Sequence, residues 1–290
     1  MNLSFKTVAL IGKYKTPAIA EPLLRLAAFL AEKGVAVVVD SLTAEHLGQH
    51  PYRVLSLEQM QGEVDLAVVM GGDGTMLNIA RTLAPFGIPL VGVNQGRLGF
   101  LTDLSLESMK RSLTDMLRGE FVTEQRMLLS VHVVRNGTEV CRALAFNEMV
   151  VHRSNIDSMI ECEVRIDGDY LYTQRADGLI VSTPTGSTAY ALSAGGPIIH
   201  PALDVIALVP VCPHTLSNRP IVVSGGSRIE ILMHRTGEVH VRFDSHSHFD
   251  LQLNDRLVVA RHADMVQLLH PAGHSYYHTL REKLLWNKFA

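Results

Sequence analysis

Residues Asp65–Leu77 read DLAVVMGGDGTML, an apolar run that breaks at Gly71-Gly72-Asp73-Gly74-Thr75 and then restarts with helical spacing. Leu66 to Met70 are short and rich in β-branched side chains, the pattern of a buried parallel strand. Met76, Ile79, Ala80 and Leu83 recur at i, i+3, i+4 and i+7, which predicts a helix ending before Pro85. Glycines between a strand and a helix let the backbone turn sharply and leave its N–H groups open to approach. The helix start behind them adds an oriented positive dipole, a natural seat for phosphate.

Asp73 is the unusual member of this loop. A carboxylate repels phosphates unless a cation or a proton transfer gives it a role. In phosphoryl transfer a positioned Asp accepts the proton of the attacking hydroxyl or helps to hold Mg²⁺. The plain alternative is a helix cap beside a tight turn. Two familiar nucleotide signatures are absent. The G-x-G-x-x-G begun by Gly72 and Gly74 ends on Leu77, and Gly12-Lys13 is followed by Tyr14 rather than Ser or Thr.

Outward from this loop, the first third alternates strand and helix. Thr7–Ile11, Val35–Val39 and Pro89–Val93 read as strands, and Ile19–Glu32 as a helix with Leu23, Leu26, Ala27 and Leu30 on one face. That rhythm predicts a doubly wound, Rossmann-like parallel sheet, with ligands at the carboxyl ends of its strands. From about residue 126 the period changes to two. Cys162, Val164 and Ile166 alternate with charged residues, as do Val239, Val241 and Phe243, which predicts a β-sandwich. The expected division is 1–122 for the α/β domain and 123–274 for the sandwich. A C-terminal helix within 275–290, read over Leu280–Phe289, is expected to pack back on the first domain.

With 290 residues, 47% hydrophobic and 19% charged, the chain has the make-up of an ordinary soluble globular protein. A net charge near −3 argues against a nucleic-acid partner, which would demand a basic stripe. No apolar stretch reaches the length of a membrane span, no signal-peptide layout opens the chain, and Cys141, Cys162 and Cys212 are widely spaced. The expected location is the cytoplasm. Of the fourteen histidines, His246 and His248 stand two apart near His240 and Asp244, without a third ligand at zinc spacing, so no metal site is read in the protein residues. His262, His270, His274 and His278 read as scattered surface residues.

The second half carries two further constellations. Residues 175–197 read RADGLIVSTPTGSTAYALSAGGP. Here a strand, Gly178–Ser182, meets the hydroxyl-rich loop Thr183–Thr188 and then a short helix, Ala189–Ala194. Ser187 or Thr188 could cap that helix; equally, hydroxyls, amides and Tyr190 suit a nucleoside. Asn147-Glu148 interrupts an otherwise apolar strand, where one of the two side chains would face inward and want a partner such as a sugar hydroxyl. The alternative is a strand end with both in water. Arg175 and Asp177 flank the next strand and read most simply as a surface ion pair. The Gly96–Leu101 loop follows another strand of the first domain and could line the same cleft.

Together, Gly71-Gly72-Asp73-Gly74-Thr75, Asn147-Glu148, Arg175-Ala176-Asp177-Gly178 and Thr183–Tyr190 closely resemble the NAD kinase family, from end to end of the chain. The first motif is shared with lipid kinases; the Thr183–Tyr190 segment with Asn147-Glu148 is far more specific. The resemblance implies transfer of the ATP γ-phosphoryl to the 2′-hydroxyl of the adenosine ribose of NAD, giving NADP. It implies Asp73 as general base, a phosphate loop of Gly71, Gly72, Gly74 and Thr75, and a divalent cation, Mg²⁺, bound with ATP. NAD would be gripped by Asp73, Gly74, Asn147, Glu148, Arg175 and Asp177, and by Thr188, Ala189, Tyr190, Ala191, Leu192 and Ser193. Ser158 and His246 stand where relatives carry other pocket residues. The family works as a homodimer or homotetramer, with ATP and in some members polyphosphate as donor. Two rivals share parts of the pattern: a lipid kinase and a non-catalytic NAD sensor.

Overall fold

The computed structural model describes residues 3–14, 16–153, 159–215, 217–235, 238–244 and 246–286. The chain forms two compact units, residues 1–125 with 266–290 and residues 126–265.

In the first unit, β1 (Thr7–Gly12), α1 (Ala20–Glu32), β2 (Ala36–Asp40), the single-turn α2 (Ser41–Ala44), β3 (Arg53–Leu55), β4 (Leu66–Met70), α3 (Asp73–Leu83) and β5 (Leu90–Asn94) follow one another. The strands pair in parallel in the order β3-β2-β1-β4-β5, the doubly wound order with its switch point between β1 and β4. A two-residue strand, β6 (Leu104–Ser105), pairs with the end of β5, and α4 (Met109–Leu117) follows. Leu66, Val68 and Met70 of β4 join the core that includes Leu23, Leu26, Ala27 and Leu30 of α1. Ala67 and Val69 point the other way and are equally buried. A strand covered on both faces has no polar side to show, which is why β4 reads as an unbroken apolar run.

The strand Val266–Pro271 pairs in parallel with β5, Leu268 opposite Leu90, and Phe121–Arg126 lies on its other side. Sequence order places Val266–Pro271 in the second domain; in the structure it completes the sheet of the first. Pairing with β5 decides the matter, because a six-residue apolar strand looks the same in either sheet. The C-terminal helix spans Tyr276–Leu284, capped by the Ser275 hydroxyl and ended by Leu285 in the left-handed conformation. It therefore begins earlier than the expected Leu280, and the end of the expected span lies outside the described residues. Its Lys283 ammonium sits 5.4 Å from the centre of the Phe100 ring.

The second unit is a sandwich of two six-stranded antiparallel sheets. One runs Ile221–Ser224, Val205–Val211, Gly178–Ser182, Glu148–Arg153, Val239–Phe243, Ser247–Leu251; the other runs Asp169–Ala176, Ile160–Ile166, Ile229–Arg235, Arg256–Arg261, Leu129–Arg135, Thr138–Ala145. Alternate residues of both sheets, among them Val131, Met149, Cys162, Val181, Ile231 and Val241, fill the space between them. On the outer face of the first sheet Val150, Ile180, Ala207 and Val209 pack against Ala191 and Ile199. The segment after Ser182 therefore lies over that sheet, and Gly178–Ser182 is buried on both sides.

Candidate active site

In the first unit the site is built at the carboxyl end of β4. Gly71 N–H donates to the Val93 carbonyl at 2.9 Å, which carries the chain one residue past the strand before it turns. The glycines divide two tasks. A Cβ on Gly71 would stand 2.7 Å from the Thr75 hydroxyl, so close packing requires its absence. A Cβ on Gly72 or Gly74 would meet no protein atom within 4 Å, so both border open space at the start of α3. The first amides of a helix have no intrahelical acceptor, and α3 begins at Asp73, between these two glycines.

Asp73 is the first residue of α3, and both of its carboxylate oxygens are held from outside the helix. Phe100 N–H donates to Oδ2 at 2.9 Å and Leu101 N–H to Oδ1 at 3.0 Å. The expected cap is absent as such: the N-cap residue is Gly72, and the carboxylate is bound by another loop. That loop is itself tied down. Asn94 donates from Nδ2 to the Thr102 carbonyl at 3.2 Å and accepts from Gly96 N–H at 3.2 Å. At Gly99 a Cβ would fall 2.1 Å from Asp73 Oδ1, so only glycine lets the loop come this near.

In the second unit Asn147 and Glu148 do not sit inside one strand, as their apolar neighbours suggest. They lie where Thr138–Ala145 ends and Glu148–Arg153 begins. The break is held by Asp244, whose carboxylate accepts the N–H groups of Phe146 (2.7 Å), Asn147 (2.7 Å) and Glu148 (3.1 Å). Sequence reading took Asp244 for an alternating surface residue; its only local signal was that it closes the period-two run just before a turn. Glu148 is 4% exposed and its Oε2 has no hydrogen-bond partner. Burial, helped by the nearby Asp244 charge, pushes its pKa up to about 8.

The hydroxyl-rich loop is folded in part by its own hydroxyls. Thr183 donates its hydroxyl to the Phe146 carbonyl at 2.7 Å, and Thr183 N–H donates to the Asn147 carbonyl at 2.8 Å. Ser187 accepts from Ile199 N–H at 2.9 Å. These two hydroxyls fold the loop. Neither Ser187 nor Thr188 caps the next helix; Thr185–Thr188 is a 3₁₀ turn, and the helix Tyr190–Ser193 starts behind Ala189 without a side-chain cap. Tyr190 is left 45% exposed.

Tyr190 and Asp177 border one cavity of about 550 Å³ with His152, Arg153, Cys212 and Arg242. A volume of that order suits a nucleoside-sized ligand. Arg175 and Asp177 do not pair with each other: Arg175 Nε binds Glu161 at 2.7 Å, and Arg153 binds Asp177 at 2.9 Å. Arg175 lies on an edge strand and does not itself border that cavity. His246 is exposed in the turn between two strands and His248 lies in the second of them, so they do not share one strand face. Ser158 lies outside the described residues.

His270 corrects a sequence expectation. It is 2% exposed, not a surface residue, and its two ring nitrogens meet Asp103 at 2.6 Å and Glu124 at 3.0 Å. Its ring stacks on His274, centres 4.0 Å apart, and His274 Nδ1 lies 3.2 Å from the same Asp103 oxygen. Burial opposes a charge on His270, but its bonds to Asp103 and Glu124 outweigh that and push its pKa up to about 9. Burial likewise raises Asp103, yet the two histidines hold it well below the usual carboxylate range.

The family model of the ATP-NAD kinase N-terminal domain matches residues 8–121, and that of the ATP-NAD kinase C-terminal domain matches residues 146–270. With the fold and the carboxylate-bearing glycine loop, these matches define a phosphotransferase that acts on an alcohol. The NAD kinase of Nitrosomonas europaea is 58% identical over 283 residues, 98% of this chain and 96% of its own. That of Thiobacillus denitrificans is 50% identical, with 99% of each chain covered. The chain belongs to the NAD kinase family, and its reaction is the ATP-dependent phosphorylation of NAD to NADP. The lipid-kinase and sensor alternatives fall away.

Two solved structures are similar throughout. Yeast NADH kinase complexed with NADH superposes with a TM-score of 0.90 at 26% identity, covering 98% of this chain and 89% of its own. An NAD kinase from Archaeoglobus fulgidus in complex with ATP gives 0.73 at 26% identity, covering 95% and 99%. Among the described residues no helix is long and apolar enough to cross a membrane.

Proposed function

We propose that Asp73 is the general base for the 2′-hydroxyl of the adenosine ribose of NAD. The hydroxyl proton passes to the carboxylate as its oxygen bonds to the γ-phosphorus of ATP, and the bond from that phosphorus to the β-γ bridging oxygen breaks to release ADP. One observation carries the assignment. Both oxygens of Asp73 are aimed by the Phe100 and Leu101 amides, beside glycines bordered by open space. A sugar hydroxyl is a weak nucleophile at neutral pH, so a carboxylate of fixed direction meets its first requirement. Positioning supplies much of the remaining acceleration.

Gly71, Gly72, Gly74 and Thr75 form the phosphate loop in this reading. A lone carboxylate beside an open phosphate cradle fits Mg²⁺, which takes most of its ligands from phosphate and water. When bound it would offset the charge of the β- and γ-phosphates. Asn147, Glu148, Asp177 and the segment Thr188–Ser193 hold the dinucleotide, with Tyr190 as the aromatic surface and Asp73 and Gly74 at the ribose. Arg175 and His246 belong to this set on the family pattern alone. Family membership also supports a homodimer or homotetramer, and three free thiols are consistent with the cytoplasm.

The test is NADP formation by Asp73→Asn with ATP and Mg²⁺. Turnover should fall at least about 100-fold, in the range set by loss of a general base, while NAD still binds by calorimetry. Wild-type turnover would remove Asp73 from the role. Running the same assay with polyphosphate in place of ATP defines the donor.

A further inference from the structure

We infer that His270 and Asp103 are positioning residues for the reaction, acting through the 99–103 loop on the direction of Asp73. The inference rests on the reading of Asp73 as the base. It follows from a short chain of contacts within one unit. Asp73 is hydrogen-bonded to the loop through backbone amides, those of Phe100 and Leu101. An amide has no rotamer of its own, so its direction is that of the loop. Two residues further on, Asp103 ends the loop in a bond to His270 at 2.6 Å.

His270 is itself packed and bonded on several sides. It is 2% exposed on the strand Val266–Pro271, stacks on His274, and is held at its far nitrogen by Glu124 at 3.0 Å. The loop is thus pinned at Asn94 on one side and at His270 on the other. It also has little room to shift without cost. A Cβ on Gly92 would meet the Leu101 carbonyl at 2.3 Å, so loop and β5 are in direct backbone contact. A buried histidine between two carboxylates, far along the chain from the glycine motif, has an evident use if that loop must hold still. Misplacing a base by about 1 Å can cost on the order of 100-fold in rate.

The experiment compares His270→Ala, Asp103→Ala and Asp103→Asn by steady-state kinetics with NAD, ATP and Mg²⁺, each made both alone and with Asp73→Asn. Folding is checked by circular dichroism. Both alanine variants should lose at least tenfold in kcat while KM for NAD and for ATP stays within twofold. Asp103→Asn should recover part of the loss, because its amide oxygen still accepts a ring N–H. On the Asp73→Asn background the same changes should cost less than twofold, since the group they aim is gone. Wild-type kcat in the folded variants, loss confined to KM, or an undiminished effect on the Asp73→Asn background would overturn the inference. If His270→Ala does not fold, the Asp103 pair decides alone. Should Asp73→Asn itself turn over like wild type, the base assignment fails; should it lose turnover while the folded His270 and Asp103 variants keep theirs, only the positioning role fails.

Discussion

Glu148 shows how much one buried side chain can depend on its charge state. Its pKa of about 8 means that it enters neutral solution carrying a proton and able to donate as well as accept. The sign for stability follows directly. A carboxyl raised from 4.5 to about 8 favours the folded state most below 4.5, and that contribution declines as pH rises through about 8. Glu148→Gln mimics the protonated form, so its melting temperature should match wild type near pH 4 and exceed it at pH 9; equal values at both would contradict the burial argument. Asp244 is the complementary case. Asp244→Ala strips three backbone donors of their acceptor and should destabilise the second unit by about 3 kcal/mol. Denaturant titration reads that directly. An inward-facing residue at Asn147-Glu148 was legible beforehand, but the role of Asp244 was not, because its backbone partners come from strands distant in sequence.

At the scale of the element, the glycine loop after β4 was readable in full. Its strand, its turn and its helix to Leu83 follow from local periodicity and from the conformational demands of glycine. The loop that meets it was legible only as one that could line the same cleft; that its Phe100 and Leu101 amides hold Asp73 was not. Gly99 makes the distinction testable. Gly99→Ala would place a methyl 2.1 Å from Asp73 Oδ1 and 2.3 Å from the Thr102 hydroxyl, at a position with no unusual backbone angle. The fold should survive with a loop displacement, and NADP formation should fall at least tenfold. A crystal structure with an undisturbed Asp73 and normal turnover would refute this. The hydroxyl-rich loop teaches the same lesson from the other side. Its composition suggested a choice between structure and ligand, whereas Thr183 and Ser187 fold it and Tyr190 is left facing outward.

Over the whole molecule, pH acts on the two units in different ranges. In the first, imidazolium at His270 is favoured between Asp103 and Glu124, with a folded pKa near 9 against an ordinary 6.5. That stabilisation is complete below 6.5 and is lost as pH rises through about 9; the depressed Asp103 carboxyl adds a second loss on the acid side. The melting temperature of the first unit should therefore drop between pH 7 and pH 10, and His270→Gln should flatten that slope. An unchanged slope would show that the network is not ionised as described. What the chain determined alone was the change of rhythm, an α/β half followed by a period-two half, together with the family motifs. These are local patterns, set by the 3.6- and 2-residue repeats of side-chain direction. Only the tertiary structure decided that Val266–Pro271 returns to the first sheet, that Asp244 holds the Asn147-Glu148 break, and that His270 is buried between carboxylates. Each depends on which distant strand becomes a neighbour, and pairing between strands is a contest among many apolar segments that no single segment's composition can resolve.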